Sequence, residues 1–213
     1  PNTEAERPQQ GFSHKPDVAY EPVKDAPMSN KRFYDRIAHF IRSGDILCAD
    51  AGCAINSSHL QLPEGVTYVA SCYWASIGMG FGASLGACFA ADDDQRVIAL
   101  EGDGSFQMTA QELSSMARYG QAPIIFVVNN KGYTAERLIH DGPFNDIADW
   151  KYHKLPDAIG GKGLEVHTEG VLEEALAVEE SYKGQGPPGI EVHVASWDAT
   201  EASTLMSESL SGR

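Results

Sequence analysis

The chain is predicted to be an α/β domain, a doubly wound parallel sheet with helices on both faces. Three features lead there: short β-branched runs that close on polar or glycine residues, helical stretches between successive runs, and no evident internal repeat. The opening stands apart. Pro1, Pro8, Pro16, Pro22 and Pro27 punctuate a polar stretch with no sustained period, so residues 1–28 read as a linker or N-terminal extension. Such a start suggests the C-terminal part of a longer polypeptide, or a subunit that wraps a partner. Order begins at Ser29, a plausible N-cap, followed by Phe33, Ile37, Phe40 and Ile41 on one helical face, with Gly44 expected to end the helix. Residues 46–50 and 66–70 read as buried strands. Between Ser76 and Ala91 a helix carries Gly78, Gly82 and Gly86 on one face; each costs helix propensity, and close approach to a backbone or ligand would explain them. A strand over 96–100, a helix over 109–119, a strand over 123–128, a helix near 171–180 and a last strand over 190–195 complete the alternation. Residues 29–200 thus form the domain and residues 201–213 a C-terminal tail.

A length of 213 residues suits one core. With 42% hydrophobic and 22% charged residues, wholesale disorder is excluded. Thirty acidic against sixteen basic residues give a net charge of −14, the wrong sign for a nucleic-acid backbone. No apolar stretch approaches the roughly 20 residues of a membrane span, and the first ten residues lack the apolar core of a signal peptide. Cys48, Cys53, Cys72 and Cys88 form neither a C-x-x-C pair nor a Cys/His ligand cluster, and so read as reduced, buried thiols. These features favour a cytoplasmic protein without nucleic-acid or membrane partners.

In open parallel sheets, ligands bind beyond the carboxyl ends of the strands. The polar, glycine-rich segments Asp50–Cys53, Glu101–Ser105 and Asn129–Tyr133 are expected there. Glu101-Gly102-Asp103-Gly104-Ser105 leaves a strand and opens a helix: its glycines allow tight turning and close approach to an anion, and the helix N–H groups favour negative charge. Asp103 beside a phosphate requires a cation between them, and Mg²⁺ suits an all-oxygen set. The Asn130 amide oxygen and the Gly132 carbonyl, from the next strand end, are the other candidate ligands. A lone Gly-Asp-Gly is more often a turn; its coupling to Asn129-Asn130 changes that balance.

The two halves together resemble the thiamine-diphosphate signature of that enzyme superfamily. GDGSFQMTAQEL and NNKGYTAERLIHDGPFNDIADWKY are similar to the C-terminal, diphosphate-binding domain of the pyruvate decarboxylase and 2-oxo-acid decarboxylase family, over nearly all of residues 30–200. The resemblance implies the thiamine-diphosphate-binding fold and non-oxidative decarboxylation of a 2-oxo acid, pyruvate or a larger analogue, to an aldehyde and CO2. It implies that Asp103, Asn130 and the Gly132 carbonyl hold Mg²⁺ and that Gly104, Ser105 and Thr134 contact the diphosphate. Glu136 would meet the substrate carboxylate, assist its departure and help return a proton. In Tyr73-Trp74-Ala75-Ser76-Ile77-Gly78, the Ala75 carbonyl would accept from the cofactor's 4′-amino group, and Ile77 would prop the cofactor in its bent shape.

Two departures stand out. Asp50-Ala51-Gly52-Cys53 replaces the family's Glu-Thr-Gly-Asp, which puts substrate or cofactor contacts there in doubt. Ala135, where relatives often have Ile or Val, implies a roomier pocket for 2-oxo acids larger than pyruvate. The half that supplies a glutamate to the cofactor's pyrimidine is expected from the same longer polypeptide, another copy or a separate subunit, in an oligomer. His140 is not expected to act, because the resembling enzymes carry their catalytic histidines in that other domain. His39, His59, His153, His167 and His193 form no cluster along the sequence, and surface or core is their default. Two other readings remain: a non-catalytic regulatory or assembly subunit that kept the fold, and a nicotinamide-dependent dehydrogenase built on Gly80, Gly82 and Gly86 with Glu101 as ribose-binding acid.

Overall fold

The computed structural model describes residues 19–71, 73–182 and 186–211. Six parallel strands form one sheet in the order β2-β1-β3-β4-β6-β5. They are β1 (Ile46–Ala49), β2 (Thr67–Ala70), β3 (Val97–Gly102), β4 (Ile124–Asn129), β5 (Lys162–Val166) and β6 (Pro188–His193). Side chains alternate between faces along each strand. Ile98, Leu100, Phe126, Val128, Ile190 and Val192 join one core cluster with Phe33 and Ile37 of α1 (Asn30–Phe40) and with Leu172 and Leu176 of α8 (Glu169–Ser181). On the opposite face, Ala99, Ile125 and Val127 meet Phe81 of α3 (Met79–Ala90), Phe106 of α4 (Asp103–Thr109) and Leu113 and Met116 of α5 (Glu112–Tyr119). Helices therefore cover both faces, as the alternation of runs predicts. The chain leaves β1 for β2 on one side and returns to β3 on the other, so the crevice between the ends of β1 and β3 is a topological switch point.

Ser29 caps α1, its hydroxyl accepting from Arg32 N–H at 3.3 Å. The helix stops at Phe40, before the expected Gly44, which instead turns the chain into β1 at φ +86°. The helix expected over 109–119 is two: α4 starts at Asp103 itself, and α5 follows a break at 110–111. Three short helices flank the sheet ends: α2 (Ala51–Asn56), α6 (Thr134–Ile139) and α7 (Lys154–Ala158). Residues 201–211, expected as a tail, form helix α9 (Glu201–Ser211), which contacts α6 and α2. The described end of the 1–28 stretch lies along the start of α8, where Met28 N–H donates to His167 O and Glu169 N–H to Ala26 O.

Of the glycines expected to share one helical face, only Gly78 meets a neighbour. It caps α3 at φ +88°, where a Cβ would lie 2.8 Å from Met108 Cβ; Gly82 and Gly86 face open space. The close approach belongs to Gly80, where a Cβ would lie 2.7 Å from the Asp50 nitrogen. Cys48 and Cys53 are buried and free, and Cys88 is partly buried; Cys72 lies outside the described residues. Burial pushes the Cys48 thiol up to about 12 and Cys88 up to about 11, which keeps both inert. Among the described residues, no helix is long and apolar enough to cross a membrane.

Candidate functional site

Three strand ends build one cleft of about 260 Å³. After β1, the wholly buried Asp50 turns its carboxylate onto backbone. Oδ1 accepts from Ala51 N–H at 2.8 Å and caps α2, while Oδ2 accepts from Gly78 N–H at 2.8 Å and Gly80 N–H at 2.9 Å. This carboxylate anchors the turn into α3. Ala51, Gly52 and Cys53 line the cleft instead. Above that turn, Ala75 adopts φ +49° and Ile77 stays 39% exposed, both facing the cleft.

After β3, Asp103 is 2% exposed. Its Oδ1 accepts from Gly104 N–H at 2.8 Å and its Oδ2 from Gly132 N–H at 3.0 Å. Burial raises its carboxyl to about 6 against these N–H groups, which favour the ionised form. Gly102 has an ordinary φ of −78°, and a Cβ there would meet only Ser105 Oγ at 3.8 Å, so it is no strained turn. Gly104 is needed for space: a Cβ there would sit 2.4 Å from the Tyr133 ring.

After β4, Lys131 (φ +63°) and Gly132 (φ +137°) bend the chain sharply. A Cβ at Gly132 would strike Asn145 O at 2.2 Å. The bend brings the Asn130 amide to Asp103 Oδ1 (3.2 Å) and Gly132 O (2.7 Å), with its other end 2.9 Å from Thr134 Oγ1. Turned one way, the amide NH2 donates to both oxygens. Turned the other way, three oxygens converge and the NH2 meets the Thr134 hydroxyl, which itself donates to Ser196 O at 2.8 Å. In the second arrangement three acceptor oxygens converge with no proton or positive charge between them, and a cation would supply that charge.

Ala75, Ile77, Asp103, Gly104, Ser105, Asn130, Gly132, Thr134, Ala135 and Glu136 therefore share one cleft. Glu136 is exposed there, in α6. Helix α9 adds Ser203, Met206 and Leu210 to the wall. Sequence reasoning missed Arg137. It is 7% exposed, donates to Lys131 O at 2.6 Å and Asp146 Oδ1 at 2.8 Å, and so fixes the bend that carries Asn130 and Gly132. In sequence it looks like any solvated helix charge. His140 stands outside the cleft, stacked on Phe144 at 5.9 Å.

Two arrangements run against expectation. Gly80, Gly82 and Gly86 lie inside α3 and not in a strand-to-helix turn, and Glu101 is wholly buried with neither oxygen bonded, so the dinucleotide reading finds no support. Burial, then the Asp50 charge, raises the Glu101 carboxyl well above its ordinary value. Secondly, His153, His167 and His193, scattered in sequence, gather around Glu165 and Glu191 at the β5–β6 edge.

Fold and cleft define a doubly wound α/β ligand-binding domain whose site combines backbone N–H groups with converging oxygens at a switch point. The chain belongs to the family described as thiamine pyrophosphate enzyme, C-terminal TPP binding domain, whose model matches residues 50–192. It is 40% identical over 159 residues to an alpha-keto-acid decarboxylase of Mycolicibacterium paratuberculosis, covering 72% of this chain and 28% of that protein. It is 43% identical over 171 residues to pyruvate decarboxylase 2 of Pisum sativum, covering 78% of this chain and 42% of that protein. A solved Rhodococcus jostii RHA1 thiamine diphosphate-dependent 4-hydroxybenzoylformate decarboxylase shares the fold, with a TM-score of 0.71 at 22% identity over 88% of this chain and 35% of that one. The chain thus spans under half the length of these relatives, and the resemblance carried by GDGS and NNKGYTAE is to the family shown.

Proposed function

We propose that this chain supplies the diphosphate-binding half of the active site of a thiamine-diphosphate-dependent carboxy-lyase. The enzyme would convert a 2-oxo acid, pyruvate or a larger analogue, to an aldehyde and CO2. The observation that carries the reading is the convergence of Asp103, from the end of β3, with Asn130, Gly132 and Glu136, from the end of β4, on one cleft at the carboxyl ends of the strands. The donor set fits Mg²⁺: Asp103 Oδ1, the Asn130 amide oxygen and the Gly132 carbonyl are hard oxygens, and the amide can present its oxygen among acceptors only. Gly104, Ser105 and Thr134 would hold the diphosphate, with the space at Gly104 already bounded by the Tyr133 ring. The Ala75 carbonyl and the Ile77 side chain would orient the aminopyrimidine. Thiamine diphosphate, when bound, supplies the electron sink for loss of CO2. Glu136 would meet the substrate carboxylate and move a proton at the reacting carbon, a role typically worth about 10²–10⁴-fold.

The other half would be a pyrimidine-binding domain from the same longer polypeptide, another copy or a separate subunit, in an oligomeric, cytoplasmic enzyme. The relatives' greater length supports further domains in one polypeptide. Tyr73 and Trp74, 86% and 80% exposed beside the cleft, and the open face at Gly82 and Gly86 support docking there. The 213-residue chain alone, assayed with thiamine diphosphate and Mg²⁺, is expected to bind weakly and turn over little; robust decarboxylation would contradict a shared site. In the assembled enzyme, Glu136→Ala is expected to abolish turnover while cofactor stays bound. Unchanged turnover would favour the regulatory-subunit reading.

A further inference from the structure

The β5–β6 edge places two carboxylates face to face. Glu165 and Glu191 are register partners on adjacent parallel strands, and strand spacing of about 4.8 Å brings such side chains together. Like charges opposite one another weaken a sheet. Glu191 is 1% exposed and cannot turn to solvent. Among the described residues, the ion-pair partners of both are histidines alone, with no Lys or Arg. The pair therefore lacks a permanent positive charge.

The histidines stand where a metal ion would replace that missing charge. His193 Nε2 lies 3.1 Å from Glu165 Oε1, and His167 Nε2 lies 3.4 Å from the same oxygen. Tetrahedral zinc with ligand bonds of about 2.0–2.1 Å sets ligand atoms about 3.3 Å apart. The Glu165, His167 and His193 ligand atoms all fall within 4.8 Å of one another. The two imidazoles stack at 4.2 Å and 13°, and His167, 60% exposed, is free to turn its lone pair onto an ion. Behind them the partners are fixed. Glu191 Oε1 lies 3.3 Å from His193 Nε2 and accepts from Asn129 Nδ2 at 2.7 Å, while Oε2 is held by His153 Nδ1 at 2.5 Å. Glu191 Oε1 faces the same Nε2 that would bind the ion, so this fixed, buried carboxylate lies beside the ion and adds to the attraction for it.

We propose that Glu165, His167 and His193 form a binding site for a borderline divalent transition ion, Zn²⁺ being the representative, with water completing the coordination. Two imidazoles and one carboxylate select Zn²⁺ over Mg²⁺, which prefers oxygen, so the site is chemically distinct from the Asp103–Asn130–Gly132 set. The ion neutralises the facing carboxylates and ties edge strand β5 to β6.

Calorimetric titration of the chain with ZnCl2, in buffer containing excess Mg²⁺, tests this. One Zn²⁺ per chain is expected, bound in the micromolar range. His167→Ala, at an exposed position that leaves the fold intact, should weaken binding about tenfold or more. The double variant Glu165→Gln/His193→Ala should abolish it, and Asp103→Asn should leave it unchanged. Co²⁺ should give visible tetrahedral absorption that Zn²⁺ displaces in the wild type and that His167→Ala loses. No Zn²⁺ uptake by the wild type, uptake unaffected by His167→Ala, or uptake lost only in Asp103→Asn would each overturn the proposal.

Discussion

Glu101 offers a sharp test of the buried chemistry. It lies near the end of β3, wholly buried, with neither carboxyl oxygen bonded, and burial followed by the Asp50 charge raises its titration well above the ordinary range. The fold therefore favours the protonated acid over the ionised one, while the unfolded chain ionises near its free value of about 4.3. Above that value the native state binds more protons than the unfolded state. Stability is thus greatest at or below the unfolded pKa and falls, by about 1.4 kcal/mol per pH unit, as pH rises toward the raised folded value. Glu101→Leu, of similar volume, removes this slope and also the cost of an unpartnered buried polar group, about 1–3 kcal/mol. Urea unfolding of both chains at about pH 5, 6 and 7, followed by circular dichroism, measures the difference. The leucine variant should be the more stable at each pH, with a gap that widens as pH rises. A gap that stays constant, or a variant less stable than wild type near neutrality, would refute the reasoning. Glu101→Gln separates the two effects: it should lose the slope but keep an unpartnered amide, and so remain less stable than the leucine variant.

Asp50→Ala should leave the Ala51, Gly78 and Gly80 N–H groups without their acceptor, at a cost on the order of 1–3 kcal/mol for each that stays dry. Hydrogen exchange at Gly78 and Gly80 should accelerate, and unchanged exchange would deny the anchoring role. Ala135→Ile in the assembled enzyme should shift the ratio of kcat/KM toward pyruvate over longer aliphatic or aryl 2-oxo acids by about tenfold or more, and an unchanged ratio would sink the roomier-pocket reading. Arg32 grips Glu169 with bonds of 2.6 and 2.7 Å and, despite opposing burial, holds its carboxyl down at about 2. Its contribution is fully present above the unfolded value and is lost as pH falls from about 4.3 through about 2. That loss is on the order of 1–2 kcal/mol once screening at the partly exposed Arg32 is allowed for; Glu169→Gln should remove this part of the acid dependence of unfolding.

What the sequence made legible was local. β1, β3, β4 and β6 are buried on both faces and read as apolar runs, and the expected cleft residues lie in three short runs, 75–77, 103–105 and 130–136. Edge strand β5 reads Lys-Gly-Leu-Glu-Val, with Leu164 and Val166 its apolar side chains, so it carries no such run. Helix α9 buries small serines, Ser203 and Ser207, which give weak helical patterning. Arg137 is buried because the 140–147 segment folds over it, a tertiary fact with no sequence period. The same holds for the histidines: His153 comes from the approach to α7, His167 from the end of β5 and His193 from β6. Only strand pairing brings them to Glu165. Asp50 was read by its departure from a family motif, whereas its work is to bind the backbone of a segment nearly 30 residues away.

The Asn130 amide has a consequence for how the cleft waits for its ligands. With NH2 turned inward it bonds both Asp103 Oδ1 and Gly132 O, so the side chain itself can satisfy the oxygens that converge there. On the proposed reading, an arriving cation must displace those two hydrogen bonds, each worth about 0.5–1.5 kcal/mol net, and rotate the amide. A bare ion gains little from that exchange. An ion that arrives already bound to diphosphate brings further oxygens and charge, so the latch would favour the complex over its parts and make metal retention follow cofactor retention.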